Sequence, residues 1–215
     1  MTRCEMNFLL HCYSIGHSNH PMDLFIKLIK RYDIDTLVDV RSYPYSQHQP
    51  QYNQENLKKS LNDEKIIYVF QGKLLGGLYK DPKYLSHDGI VDYNKVKEQP
   101  EFQEGIKNVE LMIKEGKNIV LMCSEKDPFD CHRFVLISKE LNQHDVSIDH
   151  ILNEGGINSQ IEMESRLRSH YHAHMNTNLE DLYIRRNRDL FRKKPKQHPY
   201  NLKDKTVENH NLSEF

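Results

Sequence analysis

Apolar runs of strand length alternate with stretches of helical periodicity over the first 150 residues. The runs cover 9–15, 36–40, 66–70, 118–123 and 146–152, and they predict five buried strands. Between them, apolar side chains recur every three to four positions. This spacing predicts helices from Pro21 to Tyr32, Asn53 to Asn62, Pro100 to Gly116, and from an Asp130 cap through Leu141. The alternation indicates a three-layer α/β fold, Rossmann-like, with a mainly parallel five-stranded sheet and helices on both faces.

The pattern changes after Gly155 and Gly156, where the strand signals stop. Residues 161–174 and 179–191 predict two polar helices on the outside of the domain, and the residues after them show no periodicity. We expect an α/β domain over 1–155, a C-terminal helical extension over 156–193 and a flexible tail over 194–215. Within the first domain, 71–99 is an irregular stretch rich in glycine, proline and tyrosine, and a loop of that length is often functional.

The charge balance and the cysteine count limit the kinds of partner and the cellular compartment that we expect. Thirty basic and 31 acidic side chains leave a net charge of −1, so no global field attracts nucleic acid or a membrane surface. No apolar run approaches the length of a membrane span, and the N-terminus is a poor secretory signal. Four cysteines are too few for a disulfide scaffold in a chain of 215 residues. We therefore expect a cytoplasmic protein with reduced thiols and no membrane partner.

Reactive and polar side chains follow each predicted strand. In open parallel sheets, ligands bind beyond the carboxyl ends of the strands. The residues at these five ends are His17, Arg41, Gly76 with Gly77, Cys123 with Glu125, and His150. Their recurrence at one edge of the sheet predicts a shared site.

The densest segment runs from Cys123 to Arg133 and predicts an enzyme. Cys123 is the expected nucleophile or redox centre, and His17 or Glu125 would move protons. A helix N-terminus beside Arg133 suits an anion, as does Arg41. The expected substrate-binding residues are Arg41, Arg133, His132, Gly76 and Gly77. We expect a hydrolase or transferase acting on a small anionic substrate, a nucleotide or another phosphorylated compound.

A metal centre is the first alternative. Its ligands would be Cys123, Glu125, Cys131 and His132, holding iron or zinc. Seven residues separate the two cysteines, unlike the short spacing of structural zinc sites, and adjacent Cys131 and His132 rarely share one ion. A phosphatase-like loop is also unsupported, because nine residues between Cys123 and Arg133 are too many for one. The spacing therefore favours the thiol enzyme.

A non-enzymatic nucleotide or nucleic-acid binding module is the second alternative. Its main feature is the stretch 185–196, which has seven basic residues and one acid. A solvated helix end explains the same run without a ligand. His170, His172 and His174 form no metal tract in this reading, because a spacing of two distributes them over different faces of a helix.

At these motifs the chain resembles the domain of unknown function 488 family over about residues 11–168. The resemblance rests on the stretches 13–18, 37–41, 75–77, 121–125 and 131–133, together with Asp149-His150-Ile151. It implies an α/β domain with an active-site-like cluster at His17, Arg41, Cys123, Glu125, Cys131, His132 and Arg133. It implies no particular reaction.

Overall fold

A six-stranded sheet forms the centre of the molecule. The computed structural model describes residues 10–193, and the strand order is β3-β2-β4-β1-β5-β6. The strands are β1 (Leu10–Gly16), β2 (Thr36–Asp39), β3 (Ile67–Phe70), β4 (Ile119–Cys123), β5 (Val146–Ile151) and β6 (Ile157–Ser159). The first five are parallel and β6 is antiparallel to β5. All five residues of β4 are buried, as expected for a central strand with helices on both faces.

Eight α-helices connect and flank the strands. They are α1 (Met22–Lys30), α2 (Gln54–Asp63), α3 (Gly72–Leu75), α4 (Tyr93–Lys97), α5 (Pro100–Lys114), α6 (Lys139–Gln143), α7 (Gln160–His170) and α8 (Leu179–Lys193). A π-helical segment, Arg133–Ser138, runs directly into α6, and short 3-10 turns cover Pro50–Tyr52, Pro82–Tyr84 and Pro128–Asp130. In the described part of the chain, no helix has the length and apolar character needed to cross a membrane.

Two apolar cores lie on opposite faces of the sheet. Helices α1 and α2 pack on one face, where Val120 and Met122 of β4 contribute. Helices α4 to α8 and the π-helical segment pack on the other face, against Leu121 and Cys123 of the same strand. Alternate residues of β4 therefore point into different cores, which follows from the two-residue period of a strand. Cys123 is the last residue of the strand, so its sulfur lies at the carboxyl edge of the sheet, on the face covered by α4 to α8.

The predicted α/β class and the mainly parallel sheet are confirmed, with two differences. A short antiparallel strand, β6, adds a sixth member after the predicted five. Asp130 does not cap the helix that follows, because the chain stays extended at Cys131 before helical backbone begins at His132. The domain bounds proposed above stay a prediction, and the tail at 194–215 lies outside the described residues.

Candidate functional site

Three neighbouring strands bring the predicted site residues to one edge. The order β2-β4-β1 places the segments that follow Asp39, Cys123 and Gly16 side by side. Main-chain hydrogen bonds extend beyond the strands, from His17 N to the Cys123 carbonyl at 2.8 Å and from Val40 N to the Met122 carbonyl at 3.0 Å. The carboxyl ends of these strands are therefore fixed relative to one another by the sheet itself.

Two thiols and one imidazole converge at the end of β4. Nδ1 of His132 lies 3.7 Å from the sulfur of Cys123 and 3.7 Å from the sulfur of Cys131. The three potential ligand atoms all lie within 4.8 Å of one another, and all three side chains are buried. We call these three residues the Cys2His cluster.

The imidazole of His132 has a defined orientation. Its Nε2 lies 3.1 Å from the Val40 carbonyl, so this nitrogen carries a proton and donates it to the main chain of the neighbouring strand segment. Nδ1 is left facing the two sulfurs. A backbone carbonyl that holds one ring nitrogen while the other faces a shared point is the usual arrangement of a metal-binding histidine.

A change of backbone conformation lets adjacent Cys131 and His132 face the same point. The loop after Cys123 closes through the 3-10 turn Pro128–Asp130. Cys131 is then extended (φ −133°, ψ 145°), whereas His132 is already helical (φ −60°, ψ −24°). The two side chains consequently converge, although neighbours within one regular element diverge. Adjacent Cys131 and His132 can therefore face one ion, although the sequence spacing disfavoured it.

Glu125 adds a carboxylate between the two thiols. Its Oε2 lies 2.9 Å from the sulfur of Cys123 and 3.1 Å from that of Cys131, within hydrogen-bonding distance of both. The four residues that were the metal alternative therefore meet in space. Glu125 also binds through its main chain, because its carbonyl accepts from Nη1 of Arg133 at 2.8 Å.

The two thiols differ in their protonation. Burial opposes ionisation of Cys131, but the hydrogen bond from Cys123 and the nearby cationic groups of Arg133 and His132 lower the pKa of Cys131 to about 5. The hydrogen bond to Cys131, together with burial, raises the pKa of Cys123 well above its usual value. The hydrogen bond between the two sulfurs thus favours ionisation of Cys131 over ionisation of Cys123.

Arg41 belongs to a buried network beside the cluster. Its guanidinium donates to Asp39 from Nε at 2.9 Å and from Nη2 at 2.6 Å, and Nη2 also binds the Tyr52 carbonyl. Nη1 lies 3.3 Å from Nε2 of His17, whose ring stacks on Tyr52 with centroids 4.1 Å apart. Asp39 offsets most of the charge of Arg41, so this arginine contributes little net positive potential.

His17 accepts from Arg41 as a neutral ring. Its Nδ1 proton goes to the Ser18 carbonyl at 2.9 Å, which leaves Nε2 as the acceptor. Burial and the adjacent Arg41 charge lower the pKa of His17 to about 4. The structure therefore places His17 with Arg41 and Asp39, and no hydrogen bond joins its ring to Cys123.

Arg133 lies beneath the site. It is fully buried, and its guanidinium donates to the carbonyls of Glu125 and Lys126. It does not line the adjacent cavity. Through these two hydrogen bonds Arg133 supports the loop 124–126, and its anion-binding role stays a prediction. Gly16 makes room for this loop, since a Cβ there would lie 1.8 Å from the Glu125 carbonyl oxygen.

A cavity of about 170 Å3 opens beside the cluster. Its lining includes five of the predicted site residues, which are Cys123, Glu125, His132, Arg41 and Gly77. Gly77 packs against the His132 ring, because a Cβ at this position would lie 2.6 Å from its Cγ. Gly76 packs against Ser42 instead, and it does not line the cavity. The two glycines were predicted as a pair but have different neighbours.

Further cavity-lining residues were missed by the sequence analysis. They include Tyr43 and Tyr45 in the loop after β2, Tyr93 at the start of α4, Asp130, and Leu190 and Phe191 of α8. Tyr93 donates from its hydroxyl to the Gly77 carbonyl at 3.3 Å, and its ring meets Phe191 edge-on at 5.9 Å. The density of tyrosines in 71–99 was the available signal for Tyr93. Nothing in the sequence indicated that α8 reaches the site.

The basic stretch 185–196 has a partly structural role in the described part of the chain. Arg186 is buried, stacks on Phe129, and pairs with Asp130. Arg185 lies over the ring of Tyr171. Residues 194–196 of this stretch are outside the described residues. His170 contacts the rings of Phe129 and Tyr171. His170, His172 and His174 do not come together as a metal-binding group.

Comparison with known proteins agrees with the resemblance noted in the sequence. The family model described as domain of unknown function DUF488 matches residues 21–139, which is more than half of the chain and lies within the expected range 11–168. The matched segment contains β2, β3, β4 and the whole Cys2His cluster, and it ends before α7 and α8. No curated protein and no solved structure matches the chain significantly.

Proposed function

The chain belongs to the DUF488 family, and from that premise we propose that it is a metal-dependent enzyme whose ion is held by Cys123, Cys131 and His132. The donor set of two sulfurs and one imidazole nitrogen favours zinc and also suits iron. The substrate would enter the cavity beside these residues. Glu125 would be either a fourth ligand or the carboxylate that exchanges a proton with the reacting group.

The proposal rests on one observation, the convergence of the three donor atoms. In tetrahedral zinc sites with Zn–S near 2.3 Å and Zn–N near 2.0–2.1 Å, sulfur and nitrogen ligands lie roughly 3.6 Å apart. Both S···N distances in the cluster are 3.7 Å. The donors thus have the separation of ligands that share one ion, and the Val40 carbonyl holds the imidazole in the tautomer that binding requires.

Access from the cavity favours a catalytic site over a structural one. Structural zinc sites use four protein ligands, whereas catalytic sites use three and leave a position open. Cys123 and His132 line the cavity and so does Glu125, so an ion between them would face the space available to a substrate. A metal with such an open position polarises a bound water or a substrate oxygen.

The thiol-enzyme hypothesis has weaker support. A cysteine nucleophile reacts as the thiolate and must be reached by the substrate. Cys131 does not line the cavity, whereas Cys123 lines it but has a raised pKa because of its hydrogen bond to Cys131 and its burial. Neither sulfur combines both properties. The metal hypothesis uses both sulfurs and does not require either to be attacked directly by substrate. The nucleophilic role of Cys123 stays a prediction.

Elemental analysis of the purified protein tests the proposal. We expect about one zinc or iron per chain in protein prepared without chelators, and less than a tenth of that content in Cys123→Ser, Cys131→Ser and His132→Gln. Cys12→Ala is the matched control, because Cys12 is a buried free thiol outside the cluster, and it should retain the metal. Cobalt substitution adds a readout independent of activity, since thiolate ligation produces charge-transfer absorption.

Two outcomes would contradict a metal site at the cluster. One is a wild-type protein that takes up no stoichiometric zinc, iron or cobalt after metal is added. The other is full metal content in all three cluster variants. Thermal melting of each variant checks that the fold is retained.

A further inference from the structure

The cavity beside the Cys2His cluster is small. Its volume of about 170 Å3 lies below the 300–1,000 Å3 range of pockets for drug-sized ligands. It has room for one small ring system, and any group attached to that ring must extend through the mouth. The size alone therefore argues against a complete nucleotide inside the cavity.

Aromatic side chains form much of its wall. Tyr93 and Phe191 meet edge-on on the inner side, while Tyr43 and Tyr45 are largely exposed, at 47% and 60% of their surfaces. Aromatic walls favour planar π systems, because any base can stack its flat face on an aromatic ring. Exposed tyrosines at the mouth are consistent with a ring that enters from solvent.

The charged side chains that line the cavity include two carboxylates, Glu125 and Asp130, and the guanidinium of Arg41. Arg41 pairs with Asp39 and Asp130 pairs with Arg186, so both charges are offset within the protein. Zinc held by two thiolates would carry no net charge, so neither the ion pairs nor the ion would provide surplus positive charge for an anion. A ring with N–H donors would instead find carboxylate acceptors.

We infer that the substrate is a planar, uncharged nitrogen heterocycle with an exocyclic amino group, of the size of an aminopyrimidine or aminopurine base. This deepens the proposed function, on which it rests, by naming the substrate class of the same site. The ring would contact Phe191 and the tyrosines, and its amino group would donate to Glu125 or Asp130. Recognition of the ring, unlike recognition of a phosphate, requires no net positive charge.

Calorimetric titration of the metal-loaded protein with cytosine, adenine, uracil and inorganic phosphate tests this inference. We expect cytosine or adenine to bind at least tenfold more tightly than uracil, which lacks the amino group, and phosphate to show no saturable binding. Phe191→Ala and Tyr43→Ala should each weaken binding of the amino base about tenfold. Ile161→Ala is the control, because Ile161 is 71% exposed and lies outside the cavity, and it should have no effect.

Saturable binding of phosphate without binding of any base would overturn the inference. It would favour instead the anionic substrate predicted from the sequence. Unchanged affinity in both aromatic variants would also overturn it. Metal analysis of the same samples separates the two proposals. A protein with one metal per chain that binds no amino base fails this inference alone. A protein that binds the base but no metal fails the proposed function alone.

Discussion

At the scale of single residues, the orientation of the His132 ring determines whether its Nδ1 faces the two sulfurs of the cluster. One nitrogen donates to the Val40 carbonyl, the other faces two sulfurs, and the Gly77 main chain packs against the ring. Groups that orient a metal ligand typically change metal affinity 10–100-fold when they are altered. Gly77 has this role through its lack of a side chain, since its Cβ would overlap the imidazole.

Gly77→Ala should therefore displace His132 and lower metal affinity at least tenfold. Gly156→Ala is the control, because a Cβ at Gly156 would meet no atom within 4 Å. Competition with a chromophoric chelator measures both affinities. Equal affinity in the two variants would show that the His132 ring tolerates the extra methyl group.

A second histidine, His150, is buried away from the cluster. Its Nε2 donates to Oε1 of Gln160 at 2.9 Å and its Nδ1 accepts from the Ser14 hydroxyl at 2.7 Å. Burial lowers the pKa of His150 to about 4 from an ordinary 6.5. The folded state therefore binds this proton less readily than the unfolded chain, so its contribution to stability is complete above pH 6.5 and is lost as the pH falls toward 4.

We expect the free energy of unfolding to drop by about 2 kcal/mol through His150 alone between pH 7 and pH 5. Urea denaturation at the two pH values measures this change. His150→Gln should reduce the pH dependence, while replacement of the exposed His87 by Gln should leave it unchanged. An identical pH dependence in wild type and His150→Gln would refute this assignment.

At the scale of elements, α8 connects the C-terminal region to the site. The buried Arg186 binds the Phe129 carbonyl at 2.9 Å and pairs with Asp130, and Asn187 donates to the Val91 carbonyl at 2.9 Å. These contacts hold Leu190 and Phe191 against the cavity. The family match ends at residue 139, so a helix outside the matched segment forms part of the wall.

Replacing Arg186 by Gln should loosen α8, because it removes the hydrogen bond to the buried Phe129 carbonyl and the ion pair with the half-exposed Asp130, at a cost of about 1–2 kcal/mol. Hydrogen exchange should then accelerate across 179–191 and stay slow in β4. Arg188→Gln is the matched control on the exposed side of the same helix. Equal exchange of α8 in both variants would show that the Arg186 contacts do not hold it.

At the scale of the whole molecule, the cluster joins separate parts of the chain. Cys123 ends the central strand β4. Cys131 and His132 immediately precede the π-helical segment Arg133–Ser138, which packs on the face of the sheet covered by α4 to α8. An ion bound to all three links the sheet to that layer. A ligand that binds the native state alone stabilises it by about 2.7 kcal/mol at a hundred times its Kd.

Removing the metal with a chelator should consequently lower the melting temperature of wild-type protein, and added zinc should restore it. His132→Gln should melt at the same temperature with and without chelator, whereas Cys12→Ala should respond like wild type. Differential scanning calorimetry measures all four cases. A chelator effect of equal size in His132→Gln would place the stabilising ion elsewhere.

The parallel α/β sheet and the edge that carries the candidate site could be predicted from the sequence alone. Both follow from local pattern, because strand and helix periodicity are properties of consecutive residues and parallel strands end at a common edge. The sequence also identified Cys123, Glu125, Cys131 and His132 as one group, since they lie within ten consecutive positions.

The spatial arrangement of those groups depends on contacts between distant parts of the chain. The turn at Pro128–Asp130 and the extended backbone of Cys131 direct two neighbouring side chains to one point, which spacing does not reveal. Burial and pairing, which depend on distant elements, make Arg133 a support for a loop and couple Arg41 to Asp39. The approach of α8 to the cavity likewise depends on packing between segments far apart in the chain, and packing of that kind leaves no local signal.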